Sequence, residues 1–267
     1  MRLEKMSRTN KKLKIFDLEG NPGGTTSLRK IFQTSIRPDV IKRAVLSIQS
    51  SRIQPQGRDP MAGKRTSAES RGTGMGISRI PRVKGGGGKA GFAPSTVGGR
   101  QPHPPKSEKK IRKKIPRKEA HFALCSAIAA TASKENVVSR GHKIDSVSQL
   151  PIILTNSIEE LSKTNEVETM LTSLGLSSEI NRVRESRKIR AGKGKRRGRK
   201  MKQAIGPLIV ISENKGISKA ANNIPGLDVV ELKNLNTEML APGTCPGRLT
   251  LWSIGAFTQL DKIYGGD

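Results

Sequence analysis

The residues of this chain best suited to chemistry are arginines and lysines set among glycines. Between residues 52 and 118 they are spaced along the chain: Arg58, Lys64, Arg65, Arg71, Arg79, Arg82, Lys84, Lys89 and Arg100. Between 182 and 202 they are massed: Lys188, Arg190, Lys193, Lys195, Arg196, Arg197 and Arg199, punctuated by Gly192, Gly194 and Gly198. A guanidinium offers a planar fork that matches phosphate at two points, and an ammonium offers a point charge. Glycine lets backbone approach backbone and admits positive φ. The chemistry such a set performs is recognition of a phosphate backbone. Phe92 is the one aromatic residue in the first segment, so this is not a platform on which successive bases stack. The competing readings are a solvated flexible linker for the first segment and a nuclear-import signal or charged tail for the second. The length of the arginine-bearing span argues against the linker. The position of the second segment between a helix and a strand favours a fixed phosphate-binding loop.

Signals of enzymatic chemistry are weak. Gly88-Lys89-Ala90 fails the phosphate-loop pattern, because Val83 stands where the first glycine belongs and Ala90 where Ser or Thr belongs. Gly20-Asn-Pro-Gly-Gly24 lacks the dinucleotide spacing. His103 lies in the first basic segment, and His121 and His142 have no cysteine or carboxylate pair at ligand spacing. Asp17 and Glu19, beside a strand end, read as surface or turn residues rather than a catalytic pair. No catalytic residue, cofactor or metal site is expected. Cys125 and Cys245 stand far apart and read as two buried thiols of a reducing compartment, with a disulfide the alternative.

Charge defines the class. The 267 residues carry 50 Lys+Arg against 22 Asp+Glu, a formal net charge of +28. By segment the net is +7 over 1–51, +15 over 52–118, −4 over 119–181, +11 over 182–202 and −1 over 203–267. Two segments therefore hold +26 of the +28, and the rest is close to neutral. Such an excess repels itself unless a polyanion neutralises it and releases counterions. An RNA partner is the reading. An anionic membrane is disfavoured, since there is no long apolar run and no basic helix with a wide apolar face. Met1 to Lys14 is basic without an apolar signal core, and the chain reads as cytosolic and unprocessed.

The elements that must hold these segments follow from periodicity. Lys12–Leu18 reads as a strand leading into a turn at Gly20–Gly24. Arg37-Pro38-Asp39 opens a helix with apolar Val40, Ile41, Ala44, Val45 and Ile48. Residues 118–133 form the clearest helix, with Leu124, Cys125, Ile128 and Ala129 on one face. Pro151–Leu154 is a short buried strand, and Asn165–Leu174 a helix stopped by Gly175. Leu208–Ile211, Leu227–Val230 and Leu249–Trp252 are three further strands, and Gly255–Tyr264 a closing helix. Trp252 and Phe257 read as core. The expected fold is α/β, a mainly parallel sheet with helices on both faces. It is drawn from residues 1–51 and 119–267, with 182–202 as a basic surface loop. Residues 52–118 have too few apolar groups to offset their ordering entropy and are expected to form a long extended loop, non-globular and ordered against a partner. Two limbs of about 30 residues reach at most on the order of 100 Å.

Several runs resemble a known family. Gly57–Ser70, Arg79–Gly87, Lys188–Arg199, Leu240–Gly243 and Gly247–Leu249 look like segments of large-subunit ribosomal protein four, the universal L four family, in its archaeal or eukaryote-like version. The chain ends soon after Tyr264, which favours the archaeal form. The resemblance implies a doubly wound α/β domain on the large-subunit surface and an arm penetrating the large-subunit rRNA. It also implies a role in early assembly, with a tip lining the constriction of the polypeptide exit tunnel, within about Arg71 to Gly88. Tip residues would be Gly74, Met75, Gly76 and Arg79. Partners would be rRNA, neighbouring large-subunit proteins including the other constriction hairpin, and the nascent polypeptide. Met75 stands where relatives commonly carry Arg, so the wall there is expected to be less positive. The alternatives are an RNA-modifying enzyme with a basic substrate arm, which would need a cofactor pocket at the strand ends, and a regulatory messenger-RNA binder.

Overall fold

The computed structural model describes residues 12–265; most of the basic N-terminal stretch lies outside the described residues. The chain divides into two units, Gln49–Lys113 and the remainder. In chain order the remainder opens with strands β1 (Lys12–Phe16) and β2 (Pro22–Ser27), then helix α1 (Pro38–Ser51), whose last turn enters the other unit. Strands β3 (Ala68–Glu69) and β4 (Arg82–Val83) belong to Gln49–Lys113. Then come α2 (Arg117–Thr131), α3 (Lys134–Ser139), β5 (Ile152–Leu154), α4 (Thr164–Ser173) and α5 (Ser177–Glu185). A ribbon of β6 (Lys188–Ile189) and β7 (Met201–Lys202) precedes β8 (Leu208–Ile211), α6 (Ile217–Ala221), β9 (Asp228–Glu231), α7 (Thr237–Leu240), β10 (Thr250–Ser253) and α8 (Ile254–Tyr264).

One six-stranded sheet, ordered β2-β1-β5-β10-β8-β9, organises the remainder. Every neighbouring pair is parallel except β1–β2. Successive residues of a strand point to opposite faces. Accordingly Ile153, Leu208, Val210 and Trp252 join one buried cluster, with Ile41 and Val45 of α1, Leu124 and Ile128 of α2 and Phe257 of α8. Ile152, Leu154, Ile209, Ile211 and Leu251 join another, with Val167 and Leu171 of α4, Ile180 of α5 and Ile217 of α6. Helices thus cover both faces, which is why these strands read as continuous apolar runs. Trp252 and Phe257 are core residues, with Phe32 edge-on to the first and stacked on the second.

Three local readings change. Gly20–Gly24 is not only a turn: Pro22–Ser27 is the edge strand β2, antiparallel to β1. Its exposed, polar sequence carries no alternation to read, and proline is tolerated at the first residue of an edge strand. Helix α2 has no solvent face over its second half, because every residue from Ala123 to Thr131 is buried. The alanines that kept the apolar stripe narrow let neighbours approach from all sides. Arg117 and Lys118, counted above with the basic segment, open α2.

Candidate nucleic-acid interface

The second basic segment is a ribbon rather than an open loop. Helix α5 ends at Glu185, and the Ser186 hydroxyl accepts the Ala204 amide at 2.7 Å while donating to the Val183 carbonyl at 2.6 Å, which pins the two ends of the segment together. Lys188 then opposes Lys202 and Ile189 opposes Met201 in an antiparallel pair. The Arg190 amide donates to the Lys200 carbonyl at 2.8 Å, and a short helical turn, Lys193–Arg197, closes the end. That turn stops at Gly198, whose left-handed φ of 77° an L side chain adopts only with strain. Two-residue strands are too short to show a period, so the sequence could not announce them. Lys188, Lys193, Lys195, Arg196, Arg197 and Arg199 are exposed, whereas half-buried Arg190 donates from Nε to the Arg199 carbonyl at 3.0 Å.

The nine cations singled out in Gln49–Lys113 fall into two groups. One group shapes the segment. Arg65 forks onto Asp59 at 2.6 and 3.3 Å, and the Met61 amide and then Arg65 hold that carboxyl below its usual range. Arg58 donates to Gln101 at 3.0 Å, and Lys84 pairs with Glu69 at 2.6 Å. Arg82, which opposes Glu69 in the β3–β4 pair, reaches the Gly88 carbonyl at 2.7 Å and helps close the turn that follows β4. Arg100 lies over the Phe92 ring at 5.4 Å. The other group, Lys64, Arg71, Arg79 and Lys89, is exposed and pairs with no carboxylate among the described residues. Gly74 has open space around it and a φ of 86°, so glycine is there for conformation. Gly63 is there for closeness as well, since a Cβ would sit 2.5 Å from the backbone of Gly99 and Arg100. Met75 is 59% exposed, and Gly76 and Arg79 are exposed as well.

Two charged centres escaped the sequence reading. Glu179 is fully buried; it takes His142 Nδ1 at 2.6 Å, the Lys143 amide at 2.9 Å, and Arg182 at 2.6 and 2.8 Å. Burial pushes its carboxyl up, but Arg182, His142 and the Lys143 amide outweigh burial and bring it to about 2. Arg248 is 2% exposed and donates to the carbonyls of Gly206 (2.9 Å), Met239 (3.0 Å) and Pro207 (3.3 Å) and to the Asp228 carboxylate. Burial pushes this guanidinium down, and Asp228 offsets part of that. Arg140 donates to the carbonyls of Pro242 and Cys245. Both arginines therefore brace the loop that carries Leu240–Gly243 and Gly247–Leu249. An arginine inside a core has no signature in a single sequence. Cys245 is exposed rather than buried, so the expectation of two buried thiols holds for Cys125 alone, and both are free. Burial raises the Cys125 thiol pKa.

A cavity of about 510 Å³ beside β1 and β5 is lined by Leu18, Glu19, Leu161, Glu166, Met170 and neighbours, apolar with carboxylates at its rim and no cation for phosphate. No group of three or more His, Cys, Asp or Glu that could hold a metal occurs among the described residues. No helix among them is long and apolar enough to cross a membrane. Residues 26–263 match the family model described as the ribosomal protein L4/L1 family.

The chain belongs to the ribosomal protein L4/L1 family.

This family consists of ribosomal proteins rather than enzymes, so the RNA-modifying reading falls. A large ribosomal subunit protein uL4 of Methanosphaera stadtmanae is 47% identical over 253 residues, covering 95% of this chain and 97% of the relative. One from Methanopyrus kandleri is 46% identical over 255 residues, covering 94% and 98%. One from Methanococcoides burtonii is 46% identical over 250 residues, again covering 94% and 98%. The family's match runs through both basic segments and the braced loop alike.

Proposed function

We propose that this chain is a structural constituent of the large ribosomal subunit that binds its rRNA early in assembly, on the ribosome in the cytoplasm. The observation that carries the reading is the confinement of +26 of the +28 net charge to two glycine-shaped segments. Residues 52–118 act as an extended arm inserted between 1–51 and 119–267, threading between rRNA helices. Arg58, Lys64, Arg65, Arg71, Arg79, Arg82, Lys84, Lys89 and Arg100 serve it, some by meeting phosphate and some by shaping the arm. Gly74, Met75, Gly76 and Arg79 form its tip at the exit tunnel, next to the nascent polypeptide and the other constriction hairpin. Residues 182–202 anchor the α/β domain on a second stretch of rRNA through Lys188, Arg190, Lys193, Lys195, Arg196, Arg197 and Arg199.

Binding of the full chain to deproteinised large-subunit rRNA, titrated against salt, tests this. Each cation that neutralises a phosphate contributes about 0.7–0.9 to the log–log slope. Replacing Lys64, Arg71, Arg79 and Lys89 together with alanine should flatten the slope by about 3. An unchanged slope together with normal incorporation into subunits would refute the arm's role.

A further inference from the structure

The basic ribbon has two unlike faces. Directly opposed residues of an antiparallel pair share a face, and successive residues alternate. Lys188 opposes Lys202, and the Arg190–Lys200 backbone bond places that pair on the same side. Four cations therefore share one face, and no carboxylate occurs between Ser186 and Lys202. Like charges placed opposite one another destabilise a strand pair, so this face is built for an anion lying across it.

The opposite face carries Ile189 and Met201, which oppose one another and are 60% and 42% exposed. Scattered exposed apolar residues need no explanation. These two are different, because they are the only side chains larger than alanine in 188–202 that are not cationic, and they sit together on one face. Around them lies a field of positive charge that a protein partner would have to answer with carboxylates. An RNA answers it with phosphates and also offers apolar surface, in the faces of unpaired bases. A thioether is polarizable and packs well against an aromatic ring.

We propose that the ribbon is inserted between two elements of the rRNA, with phosphates against the Lys188, Arg190, Lys200 and Lys202 face and an unpaired nucleobase packed on Ile189 and Met201. This rests on the RNA-binding reading above. The ribbon then contributes a salt-insensitive, base-contacting component to binding beside the electrostatic one.

The two components separate in a salt titration of the full chain on deproteinised large-subunit rRNA, combined with base-specific chemical probing. The double variant I189S/M201S should weaken binding about tenfold at every salt concentration with the slope unchanged. At least one unpaired base protected by the wild-type chain should become reactive. K188A/K202A should instead lower the slope by about 1.5. Ile189→Leu with Met201→Leu should retain affinity, and Val138→Ser, an exposed apolar position on α3, should have no effect. Unchanged affinity or an altered slope for I189S/M201S, or no base changing its reactivity, overturns the proposal. Normal binding to naked rRNA with lost incorporation into subunits also overturns it, assigning the face to a protein. If K188A/K202A leaves the slope unchanged, it is the phosphate-binding reading of the ribbon that fails.

Discussion

Glu179 illustrates how a single buried carboxylate is held in this fold. It lies on α5, is fully buried, and is surrounded by Arg182, His142 and the Lys143 amide, so its charge is compensated. Its ordinary value of 4.5 falls to about 2 in the folded chain. A carboxyl depressed on folding contributes stability that is complete above the unfolded value and disappears as pH falls through the folded one. A depression of this size corresponds to roughly 3 kcal/mol at neutral pH. Glu179→Gln should therefore lower stability by about 3 kcal/mol at pH 7, and the gap to wild type should close between pH 4.5 and about 2 in urea titrations. A gap independent of pH would mean that packing, not charge, holds this position. Arg248 works differently. Its partner Asp228 is 63% exposed on its side chain, so the ion pair contributes little, and the three backbone carbonyls are what the guanidinium satisfies.

At the scale of elements, α2 and the basic ribbon are opposites. Helix α2 is rich in alanine and is buried on every side over its second half; Ala123, Ala127 and Ala130 have no exposed surface. Adding methylenes where the packing has no room forces backbone and rotamer shifts that cost about 1–3 kcal/mol. Ala127→Leu should lower the melting temperature, whereas an exposed change such as Lys118→Leu on the same helix should leave it nearly unchanged. Equal effects from both would show that α2 has slack around it. The ribbon has almost no buried side chains. Its shape is kept by the Ser186–Ala204 bond, the ladder at Lys188–Lys202 and the turn at Gly198.

For the whole molecule the division of labour follows the division of apolar residues. Among the described residues, the three buried clusters draw their members from outside Gln49–Lys113. That segment also has its ends tied near one another, with the Arg58 amide donating to the Pro105 carbonyl at 3.2 Å. A chain lacking residues 57–105 should keep the six-stranded sheet and unfold cooperatively near the wild-type midpoint by circular dichroism, while losing much of its salt-dependent rRNA affinity. If the shortened chain is unfolded, the sheet does not carry its own stability.

Much of this was present in the order of residues alone. Apolar runs at Ile152–Leu154 and Leu208–Ile211 announce buried parallel strands, because a strand covered on both faces has few polar positions to spare. The charge of the two segments is a count, and a count needs no coordinates. What folding alone decided is which groups meet. Glu179 and His142 are 37 residues apart, and Arg248 and Gly206 are 42. A buried ion pair or a braced loop depends on distances that no local pattern encodes. The same holds for β2, a strand defined by β1 rather than by its own residues, and for the ribbon's two faces. There the sequence supplied the cations, and only the pairing of Ile189 with Met201 turned two scattered apolar residues into one surface.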